Sequence, residues 1–107
     1  MKKLILLAVV ACSFVVANAK TVKETFKVEG KCEMCEERIE KAAKGVKGVI
    51  SANWNSKTKQ LALVFDDKST SVEKVQKAIA AVGYDAGNVK ASKAAYDKLP
   101  SCCKYQK

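Results

Sequence analysis

The chain has 107 residues, with 20 Lys and Arg against 11 Asp and Glu, a formal net charge of +9. That length carries one small domain and is too short for two separate cores. Five cysteines accompany no histidine at all. This excludes Ser-His and Cys-His catalytic pairs, histidine acid–base chemistry and His-containing metal sites, and leaves sulfur chemistry open.

Lys2 and Lys3, the apolar run Leu4 to Val16 and the small-x-small triplet Ala17-Asn18-Ala19 predict a signal peptide over residues 1–19, with Lys20 opening the mature chain. The apolar run is shorter than the ~20 residues a membrane span requires, so no stable membrane insertion is expected after signal removal. Val9-Val10-Ala11-Cys12 offers an alternative, a lipoprotein anchored at Cys12, against which Ser13 to Ala17 stays apolar. The protein is expected to be exported, periplasmic or secreted. Loss of Lys2 and Lys3 leaves 18 basic residues against 11 acidic, a mature charge of +7. The lysines are dispersed, with no basic block or aromatic ladder, which argues for a solvated surface and against nucleic acid. Cys32, Cys35, Cys102 and Cys103 remain, and an even count in an exported chain is compatible with two disulfides.

In the mature chain Val22, Phe26 and Val28 alternate with Thr21, Lys23, Thr25 and Lys27, which predicts a strand with one wet face, Glu24 being the misfit on the apolar side. After Gly30 the period changes. Cys35, Ile39, Ala42, Ala43 and Val46 form a helical stripe that Gly45 and Gly48 end. A second strand over 49–55 presents Ile50, Ala52 and Trp54 to the core. The polar turn Ser56 to Lys59 and the alternating Leu61, Leu63 and Phe65 then complete a hairpin. Thr70 and Glu73 have capping-box spacing ahead of Val72, Val75, Ile79 and Val82, a second helix closed by Gly83. Tyr84 to Lys90 reads as a fourth strand. The order βαββαβ predicts an α+β, ferredoxin-like sandwich: a four-stranded antiparallel sheet with two helices on one face. Residues 20–90 make the domain and residues 91–107 a C-terminal extension, in which Ser92 to Leu99 is expected to form a short helix.

Cys32-Glu33-Met34-Cys35 is the sharpest chemical feature. Two thiols three positions apart at a helix start can both face one small ion, and the helix dipole and unpaired N–H groups favour their thiolates. Lys31 and Arg38 assist, while Glu33, Glu36 and Glu37 oppose.

The run from Gly30 to Ala42, then Gly48-Val49, then Ala81-Val82-Gly83-Tyr84-Asp85-Ala86 resembles the heavy-metal-associated domain family, over residues 21 to about 90. That family includes soluble copper chaperones, a periplasmic mercuric-ion binding protein and the N-terminal domains of copper-exporting ATPases. The resemblance implies that Cys32 and Cys35 ligate a soft, thiophilic ion and that Tyr84 lies beside the metal. It also implies a metal-transporting membrane ATPase or another metalloprotein as partner. The chain departs from the family loop Gly-Met-x-Cys-x-x-Cys: Gly30-Lys31-Cys32 is one residue shorter, and Met34 lies between the cysteines instead. Lys31 and Met34 are therefore the other residues expected next to the ion.

Thiolates without imidazole select copper(I), mercury(II), cadmium(II) or zinc(II). Zinc generally takes four ligands, and an exported protein meets copper more often than mercury, so copper(I) ranks first and mercury(II) second. The expected role is a metal chaperone, scavenger or detoxification carrier and not an enzyme. The rival enzyme reading is a thiol–disulfide oxidoreductase, since Cys-x-x-Cys is also a redox motif. Lys31 stands where such enzymes carry tryptophan, and the only proline is Pro100 in the tail. The other rival is an adaptor domain stapled by disulfides. Finally, the tail is expected to fold back, which makes Cys102 and Cys103 candidate further ligands or disulfide partners of Cys32 and Cys35.

Overall fold

The computed structural model describes residues 20–105; the expected signal peptide and the lipoprotein alternative at Cys12 lie outside them. Three strands form an antiparallel sheet: β1 (Thr21–Lys27), β2 (Val49–Trp54) and β3 (Gln60–Asp66), in the order β1-β3-β2. Three helices, α1 (Glu33–Lys44), α2 (Val72–Ala81) and α3 (Lys93–Asp97), and a 3₁₀ turn at Ser101–Cys103 complete the described residues. The central strand β3 buries Leu61, Leu63 and Phe65 and leaves Ala62 exposed, the alternation of a sheet with one wet face. Pairing of Phe26 with Leu61 and of Ala52 with Leu63 sets the register of its two neighbours. Cys35, Ile39 and Ala43 of α1 and Val75 and Ile79 of α2 close one core against that face.

Two expected core positions move outward. A bulge between Val49 and Ser51 places two residues of β2 against one of β3. Ile50 consequently lies 60% exposed, and Val49 packs on the core in its place. Val82 is the C-cap of α2, where the chain is already leaving the helix, and is 37% exposed. The α2 cap also shifts by one residue. Ser71, not Thr70, is the N-cap and accepts from the Lys74 N–H at 3.3 Å. Thr70 has its own N–H turned to the Asp66 carbonyl, and its buried hydroxyl has no hydrogen-bond partner among the described residues.

The expected fourth strand over Tyr84 to Lys90 is not a strand. Its pairing to the end of β1 is one bridge, Val28 with Ala86, flanked by Glu29 N–H to the Asp85 carbonyl and Gly87 N–H to the Lys27 carbonyl. Gly87 then adopts φ +56°, and Ala86 and Val89 exchange both backbone hydrogen bonds across it. A left-handed residue that glycine tolerates at little cost reverses the chain before a ladder can grow. The Asp85 carboxylate accepts the Ala91 N–H at 2.7 Å and fixes the return. The tail thus turns back beside Tyr84 and does not have to span the length of a strand.

The expected tail helix is α3, capped by Ser92, whose hydroxyl accepts the Ala95 N–H at 3.1 Å. It docks on Gly83, whose φ is +110°, where an added Cβ would come within 2.9 Å of Leu99 and 2.8 Å of the Ala95 carbonyl oxygen. Tyr105 locks the end of the tail. Its buried hydroxyl accepts the Asp85 N–H at 3.0 Å and donates to the Gly83 carbonyl at 2.9 Å. Burial holds the phenol protonated, well above its ordinary range. Its ring stacks on Tyr84 and meets the edge of Tyr96, whose hydroxyl donates to the Tyr105 carbonyl. Tyr105→Phe keeps the rings but removes the hydroxyl's hydrogen bonds to Asp85 and Gly83, for an expected loss of about 1–2 kcal/mol. Urea unfolding reads that loss, and hydrogen exchange should quicken first in residues 91–105.

Candidate metal centre

Cys32 is the N-cap of α1, extended at φ −139°, and its side chain makes no capping bond. The sulfur is thus free of the role that a serine or aspartate would play there. Cys35, one turn into the helix, is fully buried. The two Sγ atoms lie 3.8 Å apart, well beyond the ~2.05 Å of a disulfide, and all four cysteines of the described residues are free thiols.

The tail brings the other pair to the same place. Cys103 is fully buried and Cys102 exposed, and the Sγ atoms of Cys32, Cys102 and Cys103 all lie within 4.8 Å of one another. The Cys32 thiol points at the Cys102 carbonyl oxygen at 3.7 Å, and the Cys102 thiol at the Met34 Sδ at 3.6 Å. Met34, expected in the loop, is in the first turn of α1 and 48% exposed, its sulfur turned toward the tail. Lys31 lies exposed before the N-cap. Tyr84 is fully buried, and its hydroxyl accepts from Arg38 Nε at 3.2 Å.

The thiols do not share one acidity. Burial by itself would raise Cys35. Hydrogen bonding from Cys103, from the backbone at Cys32 and Lys31 and from Tyr84 outweighs it, and Cys35 ends below the ordinary thiol value. Cys103 goes the other way, pushed up to about 12 by burial and then by its pairing with Cys35. Burial, then pairing with Cys103 and Cys35, also keeps Tyr84 protonated. One thiolate-prone sulfur at a helix start is thus surrounded by proton-bearing donors, with the positive end of the helix dipole behind it. The acidic side chains of the first turns work against this. Glu40 foremost, then Glu33 and Glu37, raise the half-buried Glu36 carboxyl.

Sequence reasoning passed over Tyr105 and Asp85, which hold the tail against the site. The signal was there as three tyrosines, Tyr84, Tyr96 and Tyr105, in a chain otherwise poor in aromatic residues.

The family model described as heavy-metal-associated domain matches residues 25–85. A mercuric transport protein periplasmic component of Pseudomonas aeruginosa is 36% identical over 85 residues, covering 78% of this chain and 93% of its own length. The copper chaperone CopZ of Staphylococcus aureus (strain JH9) is 34% identical over 64 residues, covering 59% of this chain and 94% of its own. Among solved structures, the N-terminal domain of a potential copper-translocating P-type ATPase from Bacillus subtilis, in its Cu(I)-loaded state, superposes with a TM-score of 0.60. It is 30% identical and covers 64% of this chain and 86% of that one. With more than half of its length matched, and with its paired thiols at the start of the first helix, the chain belongs to the metal-binding heavy-metal-associated domain family.

Proposed function

We propose that the protein is an exported carrier of a soft metal ion, copper(I) first and mercury(II) second, held as cargo by the thiolates of Cys32 and Cys35. The observation that carries this reading is the 3.8 Å separation of the two sulfurs at the start of α1. Soft thiolates favour soft ions, and no imidazole is available to favour others. Of the two sulfurs, half-buried Cys32 is open to an incoming donor and buried Cys35 is not. Cys32 therefore makes the first exchange with a partner's thiol, while Cys35 retains the ion until the partner has hold of it. Lys31, Met34 and Tyr84 surround the ion and tune access to it. The partner is a metal-transporting membrane ATPase or another metalloprotein with exposed thiols. The related N-terminal domain of a potential copper-translocating P-type ATPase has a Cu(I)-loaded form, which supports copper. The relatives named for mercuric transport support mercury.

Export follows from the signal peptide over residues 1–19, with a mature domain over residues 20–90 and a tail over 91–107. It is supported by the periplasmic designation of the mercuric transport relative. No helix among the described residues is long and apolar enough to cross a membrane. Carriage, not catalysis, is the role, in keeping with relatives named as a chaperone and a transport component.

Anaerobic titration of the reduced protein with Cu(I) against a competing chelator tests the reading. One tightly held equivalent is expected, displaced only by another thiophilic ion such as Hg(II). A reduced protein that fails to compete for either ion is not a carrier. Intact mass of the exported protein should correspond to a chain starting at Lys20, and an acylated chain starting at Cys12 would mean a lipoprotein.

A further inference from the structure

We infer that the tail closes the site: Cys102 and Cys103 add at least one further thiolate to Cys32 and Cys35, so that the docked form holds its ion with three or more sulfurs. This rests on the reading of Cys32 and Cys35 as cargo ligands. With metal–sulfur bonds of about 2.3 Å, two sulfurs in a linear site stand ~4.6 Å apart and the edges of a trigonal site measure ~4.0 Å, by simple geometry on the same bond length. Cys32 and Cys35 stand 3.8 Å apart, too close for the linear arrangement and close to the trigonal edge. Cys32, Cys102 and Cys103 fall within 4.8 Å of one another, and Cys103 hydrogen-bonds with Cys35, so the tail sulfurs already stand beside both members of the pair.

The tail is built to arrive there. Pro100 leads into the 3₁₀ turn, where the Cys103 N–H bonds to the Pro100 carbonyl at 2.8 Å, and this turn packs against α1. Tyr105 anchors the end on Gly83 and Asp85, the immediate neighbours of Tyr84. Cys103 is thereby sealed inside with Cys35, and Cys102 is left at the rim between Cys32 and Met34. A vicinal pair in this position places one sulfur inside and one at the mouth. On binding, each coordinating thiol gives its proton to solvent, and the metal changes no oxidation state. The added donor shields the ion from water and competing thiols, and it must be displaced before the cargo can leave.

The test is X-ray absorption on the reduced, full-length mature protein with one equivalent of Cu(I), using a phosphine in place of a thiol reductant. The parent is expected to show three or more sulfurs around copper. The Cys102→Ser/Cys103→Ala double variant should show two, with shorter Cu–S bonds, and should bind Cu(I) at least tenfold more weakly in chelator competition. Two sulfurs in the parent overturn the inference whether or not the variant folds. So does an unchanged sulfur number in a folded double variant, which would assign the extra donor to a second copy of the chain. If the parent binds no Cu(I), the Cys32 and Cys35 reading itself falls. If it binds tightly through two sulfurs, only the role of the tail falls.

Discussion

Cys32→Ser and Cys35→Ser are each expected to reduce Cu(I) affinity by more than the ~10–100-fold that loss of a mere supporting partner costs a metal site. A serine hydroxyl is a hard donor that stays protonated at neutral pH, so the substitution removes a ligand without offering another that copper(I) accepts. The two variants should part company in stability. Cys32 occupies the N-cap of α1 and makes no capping hydrogen bond, whereas serine is among the preferred residues there. Cys32→Ser should therefore leave the metal-free protein as stable as the parent or up to about 1 kcal/mol more stable. Cys35 is fully buried among Ile39, Tyr84 and Cys103 in one core, and Cys35→Ser should cost about 1–3 kcal/mol for an imperfectly satisfied buried hydroxyl. Paired chelator competition and urea unfolding read both quantities. A Cys32→Ser protein that keeps parental affinity would place the cargo elsewhere.

That contrast shows which parts of the molecule a linear pattern can disclose. The stripe Cys35, Ile39 and Ala43 and the alternation Leu61, Leu63 and Phe65 are periodic, and periodicity is what burial of one face writes into a chain. Both elements follow from it directly. The bulge at Val49 to Ser51 does not, because a one-residue insertion in a ladder is decided by the partner strand, and an apolar Ile50 fits the expected pattern while lying outside the core. Gly87 is a similar case. A single left-handed glycine turned an expected strand into two bridges, while Val89, two residues on, kept the strand-like composition. In the site, the Cys-x-x-Cys spacing is visible in the sequence because both thiols belong to one loop and one helix start. The approach of Cys102 and Cys103, about 70 positions away, could be argued only from reach. What secures the tail, the hydroxyl of Tyr105 between Asp85 and Gly83, leaves no periodic trace, since it is one residue meeting a backbone.

The largest loss of stability is expected from Trp54→Ala. Trp54 ends β2 and is 3% exposed, and its indole N–H donates to the Val28 carbonyl at 3.0 Å. Its backbone N–H donates to the Glu40 carboxylate at 2.9 Å, which ties β2 to α1. The ring is also the floor of the segment that leads into Cys32. A Cβ added at Gly30 would come within 2.9 Å of it, so the chain passes in close contact with the ring, and Lys59 lies over the same ring while bonded to the Gly30 carbonyl. Removing the indole empties that floor and takes away the donor to Val28, for an expected cost of about 3–5 kcal/mol. That is a large fraction of the ~5–15 kcal/mol that holds a typical domain folded. Trp54→Phe separates the two contributions. It keeps most of the apolar contact and loses only the indole N–H, so its cost should fall to about 1–3 kcal/mol. If Trp54→Ala unfolds in urea within 1 kcal/mol of Trp54→Phe, by the same ~1 kcal/mol yardstick of a hydrogen bond, the ring is not packing against the core and the metal loop does not rest on it.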